Sequence, residues 1–496
     1  MTDISDAKRV VIVGGGLAGL AAAEALSRHM SETQIVLLEA KRTSGGRAGS
    51  FRDQQSGEDI DYCQHVAMGC CTNWIDFAKQ CGLNDHVRRY RELVFLHPDH
   101  PPSPFVADRL LPPPLHLVRT IAAQRYLSKR QKREIRAGLW TLMRTTESSL
   151  RNVTASDWLR SVGQSTETVR DFWEVILVSA LGERPQQVAM SSARKVLIDG
   201  FAAARGASDV LVPTRPLSEL FGERVPAELR RRGVEIRCGE PARRIEPDGR
   251  VHTDEDSFTA DQVIAAVPWY RVHSLFSGWP ADAKSALPRF DVFERFSTSP
   301  ITGLHLWFDR PITDRPHAVL VGTTSQWLFR DPITSAHPFP SGTGASAAYQ
   351  GNQPAESQGQ EHYYQVVLSA SSEVAAEREE LVEIVRRELA DAFPDARRAI
   401  LLRARVVTDP KSVFSISPEV DAVRPATETK LDWLKLAGDW VATGWPSTME
   451  GAVISGRMAA EAVHGSLVGG DSSAGNVSFV LPGLTRGWLA RCLIRA

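Results

Sequence analysis

With 496 residues and ordinary apolar content, the chain has material for on the order of two to four domains and a large core. A formal net charge of -1 excludes a global field that would draw it to nucleic acid or anionic lipid. Cys63, Cys70, Cys71, Cys81, Cys238 and Cys492 show no Cys-x-x-Cys spacing, so no zinc or other metal site and no disulfide frame is expected. Together with a polar N-terminus and no run apolar enough to span a bilayer, this indicates a reducing, cytoplasmic compartment.

Residues 10–13 are four consecutive apolar residues, which predicts a buried strand. Gly14-x-Gly16-x-x-Gly19 follows as a tight turn, and an alanine-rich run to Leu26 reads as a helix. The turn needs unusual backbone angles, a pyrophosphate must approach the main chain, and the helix must pack hard on the strand. The helix then opens with its free amides, including those of Leu17 and Ala18, aimed at the phosphates. A second apolar run at 35–38 ends in Glu39, about 20 residues after the last glycine, where a ribose hydroxyl pair is gripped. Strand, turn, helix, strand and acid in register indicate dinucleotide binding. A membrane helix or signal peptide at 10–26 is the alternative, but that run is short, glycine-rich and lacks a cleavage pattern.

After Glu39 and Ala40, Gly45-Gly46-Arg47 resembles the second motif of the FAD-dependent amine oxidase and phytoene desaturase superfamily. The resemblance implies that backbone amides at the glycine pair approach the cofactor and that Arg47 supports it near the phosphates. An ordinary glycine loop with a surface arginine is the alternative.

A helix at about 73–82 should bury Trp74, Ile75, Phe77 and Ala78. Prolines at 98, 101, 102, 104 and 112–114 are expected to interrupt regular structure. Residues 117–145 read as one long basic helix, either solvated or in contact with a membrane surface. A further helical stretch covers 155–181. Another helix opens at 212–217 and runs to Arg232, and strands follow at 233–237 and 261–267. Both strands resemble those with which the superfamily returns to its FAD domain, which implies adenine contact near Ala242.

Residues 271–420 look like a second domain, with a strand at 303–308, a polar mobile loop at 341–361 and a charged amphipathic helix at 377–392. A strand then ends at Gly438. Ser447 with Glu450 three residues on reads as a capping box, starting a helix at Thr448 that runs to about His464. The superfamily places this helix start, with Thr448, Met449 and Ala452, under the flavin ring, and Asp439 beside the ribityl chain and phosphate. Residues 465–478 read as a flexible linker. The tail at 479–496 reads as a short interfacial helix or a frayed terminus.

The expected fold class is α/β with an α+β substrate part. A Rossmann-like FAD-binding domain (residues 1–75, 205–270 and 430–465) interleaves with a substrate-binding domain (76–204 and 271–429), followed by linker and tail (466–496). The resemblance sharpens at four segments: 64–73, 111–116, 195–201 and 443–451. Together they resemble the squalene-associated FAD-dependent desaturase family, whose members are hydroxysqualene dehydroxylases of bacterial hopanoid pathways. The family motif Asp-x-Gly-Gln-His is altered here, because Cys63 replaces its glycine.

That resemblance implies an enzyme that removes the hydroxyl of hydroxysqualene as water and delivers hydride from reduced flavin, giving squalene. His65 is the candidate acid for the leaving oxygen, with Gln64 orienting substrate or flavin. A structural contact between His65 and the cofactor is the alternative. Tyr62, Trp269 and Trp445 are candidates to line the tunnel or stabilise an allylic cation, with core packing the alternative for each. The implied partners are FAD, a C30 isoprenoid and the inner face of the cell membrane, bound peripherally. No nucleic acid is expected, and the sequence names no reductant.

Three rivals remain open at this level. A carotenoid desaturase of the same fold moves hydride from substrate to flavin. An amine oxidase is weakened by the lack of a clear flavin-attachment motif near Cys492. Prenyl-protein escort factors share the fold without flavin chemistry, and complete FAD motifs at both ends argue against them.

Overall fold

The apolar run at 10–13 forms the strand Arg9–Val13, the centre of a five-stranded parallel sheet. The strands Gln34–Glu39 and Gln262–Ala265 flank it, and Glu235–Cys238 and Leu434–Leu436 form the edges. One face packs on the helices Leu17–His29 and Met449–Val468 and the other on a small three-stranded sheet carrying Ile245, Val251 and Phe258, which is why these strands read as continuous rather than alternating apolar runs. Three distant stretches of chain thus build one sheet. The computed structural model describes residues 7–54, 57, 59–330, 361–374, 377–468 and 478–495. The expected loop at 341–361 falls outside them, apart from Glu361.

The helix Leu17–His29 follows the glycine turn and packs along the helix Met449–Val468. Gly456 permits this approach, because a side chain there would meet the backbone of Ala18. The second helix runs four residues past the expected end, so residues 465–468 are helical, and 469–477 of the expected linker lie outside the described residues.

A second sheet of seven strands carries the rest of the core. Its order is Leu401–Phe414, Thr298–Phe308, His362–Ser369, Trp327–Arg330, His317–Leu320, Glu92–His97 and His100–Val106. One face packs Leu304, Leu306 and Leu368 against Leu381, Val385 and Leu389 of the helix Arg378–Ala392. The other face turns toward the helical segments and the residues around His65. On it His305, Gln365, Phe329 and His317 stand in register across four adjacent strands.

Several elements differ from the sequence expectation. Pro101, Pro102 and Pro104 lie inside the strand His100–Val106 rather than breaking structure. That strand is at the sheet edge, where a missing N–H costs no ladder bond. The expected helix at 117–145 is two helices, Val118–Ala123 and Lys129–Arg144. Ser128 breaks them, because its hydroxyl and the Gln131 side chain form a capping box that starts the second. The stretch at 155–181 is likewise divided, into Ala155–Ser161 and a run from Thr166 to Leu181. In the segment expected to be helical from 212–217 onward, a strand, Val210–Pro213, precedes the helical turns Ser218–Arg224 and Val225–Arg231. The tail forms the short helix Trp488–Leu493, with Ala490 and Ile494 buried in the core beneath the second sheet.

Candidate active site

The glycine turn is held open by its own geometry. Gly14 has φ +111°, and a Cβ there would sit 2.6 Å from the Ala266 carbonyl oxygen. Gly16 faces open space, which leaves a cradle at the helix start. Among the described residues no side chain caps the helix Leu17–His29, so the amides of Leu17 and Ala18 remain for an anion, while Gly19 packs on Gly14 behind them.

Glu39 is buried at the end of its strand. Its carboxylate accepts from the amides of Gly15 and Lys41, both at 2.7 Å. These two bonds orient the group and leave lone pairs for ribose hydroxyls. Ala40 beside it is exposed. The chain after the strand Glu235–Cys238 comes alongside, with Glu240 N donating to Glu39 O at 3.0 Å, and this brings half-buried Ala242 to the same end of the sheet.

The second glycine pair interlocks with the first turn. Gly45 N donates to Gly15 O at 2.8 Å. Gly46 has φ +65°, and a Cβ there would lie 3.1 Å from Gly16 Cα. Arg47 follows and reaches across the molecule, donating from Nη2 to Asp439 Oδ1 at 2.5 Å and from Nη1 to Ser412 O at 2.8 Å. Burial opposes its charge, but Asp439 outweighs burial and raises its pKa.

The expected capping box at Ser447 and Glu450 does not form. The Ser447 hydroxyl donates to Asp439 instead. The Glu450 carboxylate accepts from Asn73 N at 3.0 Å, Asn73 Nδ2 at 3.1 Å and Trp74 N at 2.7 Å. It thereby caps the helix Thr72–Gln80, which has no side-chain cap of its own. Thr448 takes the vacated role, its hydroxyl accepting from Gly451 N at 3.2 Å, and the helix begins one residue later than expected, at Met449. Thr448, Met449 and Ala452 are half-buried on this first turn. Gly438 N donates to Ser455 Oγ at 2.8 Å, tying the preceding strand to the helix.

His65 Nδ1 lies 2.8 Å from the Cys63 carbonyl, which can only accept, so Nδ1 carries the proton. Burial holds its pKa below the usual imidazole value, against the effect of that hydrogen bond. The ring is neutral, and its Nε2 is an acceptor. Gln64 Nε2 donates to His65 O at 3.4 Å. Burial, with Asp61 and Asp409 adding to it, pushes the Cys63 thiol up to about 12, so it carries no thiolate.

The three candidate substrate aromatics stand in three different neighbourhoods. Trp269 is 3% exposed and packs against Tyr270, Phe296 and Phe414, with the Arg47 guanidinium 5.9 Å from its ring centre. Tyr62 lies between Phe51 and the Lys41 ammonium. Trp445 has Lys195 Nζ over its ring at 4.9 Å, and Lys195 pairs with Asp199 at 2.8 Å.

Residues without a motif complete the site. Arg424 is buried and clips the loop before the helix, donating to the carbonyls of Trp445, Asp439 and Val441. Asp409 and Ser412, from the strand Leu401–Phe414, act on His65 and Arg47. No local pattern marks any of the three, because each works on residues far away in sequence.

Residues 17–464 match the family model described as flavin-containing amine oxidoreductase. The chain is 25% identical over 475 residues to a 15-cis-phytoene desaturase of Solanum lycopersicum, covering 92% of this chain and 77% of that protein. It is also 25% identical over 459 residues to a hydroxysqualene dehydroxylase of Zymomonas mobilis, covering 91% and 97%. Two solved structures share the fold. An oxidoreductase from Methanosarcina mazei has a TM-score of 0.66 at 16% identity, covering 90% of this chain and 98% of that one. Putrescine oxidase bound to putrescine has a TM-score of 0.62 at 15% identity, covering 92% and 98%.

Proposed function

The chain belongs to the flavin-containing amine oxidoreductase family, and on that premise we propose that it reduces hydroxysqualene to squalene with loss of water. It is an FAD-dependent oxidoreductase of that family. The residues present fit the cofactor: an open cradle at Gly16, uncapped helix amides at Leu17 and Ala18, and a buried, oriented Glu39. FAD, when bound and reduced, supplies hydride.

The finer reading is carried by the convergence of the family-like segments. Trp445 of the fourth lies against Lys195 of the third. Cys70 of the first is 4.0 Å from the Cβ position of Gly200 in the third. Arg205, just past the third, donates to the carbonyl of Leu111 in the second at 2.8 Å. Ionising an allylic alcohol needs a dry interior, and the apolar cluster that includes Cys63, Val66, Phe201 and Trp327 provides it. In this reading His65 Nε2 receives the substrate hydroxyl as a hydrogen bond. To protonate the leaving oxygen the imidazole must first take up a proton, which Asp409 favours and Arg47 opposes.

A C30 product favours an apolar phase by about 0.8 kcal/mol per methylene, so we place substrate entry at a bilayer surface on the cytoplasmic side. Leu110 is 87% exposed and Trp488 64% exposed, and Leu115 and Val118 are exposed beside them. Asp108 organises this loop, accepting from Leu110 N, Leu111 N and Arg119. Gly487 rests on Pro113, which brings Trp488 to the same patch. Arg109, Arg119 and Arg491 are exposed around it and complement anionic headgroups.

Hydrocarbon desaturation is the second reading, since phytoene desaturases match at the same identity. Anaerobic mixing of reduced holoenzyme with hydroxysqualene tests both. Return of oxidised-flavin absorbance in step with squalene is the expected result. Bleaching of oxidised enzyme by phytoene, with no squalene formed from hydroxysqualene, overturns it.

A further inference from the structure

The proposed reaction consumes a proton as well as a hydride. Hydride from reduced flavin joins the allylic carbon, the C–O bond breaks, and the proton on His65 Nε2 leaves with the oxygen as water. His65 is then neutral and must take up a proton from solvent before the next turnover. Desolvation disfavours the cationic form of a buried imidazole. The Cys63 carbonyl already accepts from Nδ1 at 2.8 Å. A cation on the ring needs an anion facing it as well.

The charged groups around His65 come from four segments. Arg47 opposes a charge on the ring, but its guanidinium pairs with Asp439 at 2.5 Å, which offsets part of its field there. Asp61 is occupied by the Ser50 hydroxyl and Leu217 N. The Cys63 thiol stays neutral. Lys411 Nζ lies 4.5 Å from the centre of the Tyr270 ring. Asp409 is half-buried, and among the described residues it has no ion-pair partner. Its Oδ1 accepts from Lys411 N at 2.9 Å.

The seven-stranded sheet aims Asp409 at this place. Asp409 pairs with Ile301 and Val407 with Gly303, and residues opposite one another share a face. A Cβ at Gly303 would lie 3.0 Å from the Tyr62 carbonyl oxygen, so the chain leading into His65 crosses that face. The ladder then breaks. Ser299 pairs with Val413, which leaves residues 410–412 as a bulge directly after Asp409. Bulges re-aim side chains beside active sites. This one is clasped twice: Ser412 Oγ donates to Asp409 O at 2.9 Å, and Arg47 Nη1 donates to Ser412 O at 2.8 Å. The carboxylate so placed favours positive charge at both His65 and Arg47.

We propose that Asp409 is the counter-charge that lets His65 carry its proton into each turnover. It is a positioning residue, acting through the imidazole. The inference rests on the hydroxysqualene reading, in which His65 is the acid, and deepens it. Exposed Thr408 and Pro410 flank Asp409 on this edge strand, so the carboxylate lies where solvent reaches the sheet.

The test is the titration of His65 in oxidised holoenzyme, where no hydride is available. Histidine carrying carbon-13 at Cε1 reports each ring by NMR, and the His65 signal is the one lost in His65→Gln. Asp409→Asn keeps the shape and the acceptor for Lys411 N and removes the charge, whereas Asp409→Glu keeps the charge. Asp409→Asn should move the His65 titration to lower pH and Asp409→Glu should leave it near wild type, with FAD content unchanged in both. In turnover, Asp409→Asn should lower kcat about three- to tenfold at about pH 8, with the gap closing as pH falls and His65 fills with protons in both enzymes. A wild-type His65 that takes up no proton down to about pH 5 overturns the proposal. So does an unmoved titration in Asp409→Asn, an equal shift in both variants, or a loss of kcat that is the same at every pH. The titration uses no substrate, so it stands apart from the product analysis that decides the hydroxysqualene reading.

Discussion

Glu39 joins the glycine turn to the following loop, and we propose that it grips the nucleotide ribose. Its carboxylate is tied to the amides of Gly15 and Lys41, so it is oriented before any ligand arrives. A charged hydrogen bond of this kind is worth about 1.5–3 kcal/mol, so Glu39→Ala should weaken FAD binding by tenfold or more. Gel filtration followed by flavin absorbance measures it, and undiminished FAD would remove Glu39 from the ribose site. The buried histidines predict a pH dependence. His317 is held at about 4 and His305 at about 3, against an ordinary value of 6.5. The unfolded chain therefore binds more protons than the folded one below pH 6.5. Stability falls as pH drops through 6.5, and the His317 contribution levels off below about 4. That contribution is up to about 3 kcal/mol. Urea midpoints at pH 7 and pH 4.5 should differ by less in His317→Leu than in wild type.

At the scale of elements, the joint between the helices Thr72–Gln80 and Met449–Val468 holds the start of the second helix, which we propose faces the flavin. Glu450 holds three donors of Asn73 and Trp74. Further along, Arg457 pairs with Asp76 at 2.6 Å and with buried Glu24. Glu450→Ala leaves buried amides unpaired and should cost about 2–4 kcal/mol, seen as a lower melting temperature and faster FAD release. Glu450→Gln keeps one acceptor oxygen and should cost roughly half as much. Equal stability of wild type and Glu450→Ala would mean that water replaces the carboxylate. The serine and glutamate have the right spacing for a local cap, and only the neighbouring uncapped helix draws the glutamate away.

At the scale of the whole molecule, the exposed patch at Leu110, Leu115, Val118 and Trp488 governs the proposed approach to a membrane. Removing the tail would be a poor test, because Phe479 is buried against His29 and Leu481 N donates to Asn73. The double substitution Leu110→Glu and Trp488→Glu changes only exposed side chains. Each large apolar side chain contributes about 1.5–3 kcal/mol when buried, so co-sedimentation with anionic vesicles should fall at least tenfold while FAD stays bound. Wild-type binding should weaken as salt screens the arginines. Unchanged co-sedimentation would move the docking surface elsewhere.

The sequence by itself determined the strand–turn–helix–strand unit that we propose holds the nucleotide. The first strand, the glycine turn, the helix and Glu39 lie within one short stretch, and their chemistry depends on neighbours along the chain. The helix Met449–Val468 was legible in position but not in its cap. Tertiary structure alone decided that Arg47 meets Asp439, that Arg424 clips the loop before the helix Met449–Val468, and that prolines sit in a strand because it is an edge. It also decided that His317 faces an apolar interior without a hydrogen-bond partner among the described residues, which no alternation along a four-residue strand can reveal. Local patterns report backbone preference and which face is apolar. Whether a polar atom finds a partner depends on which distant segment packs against it.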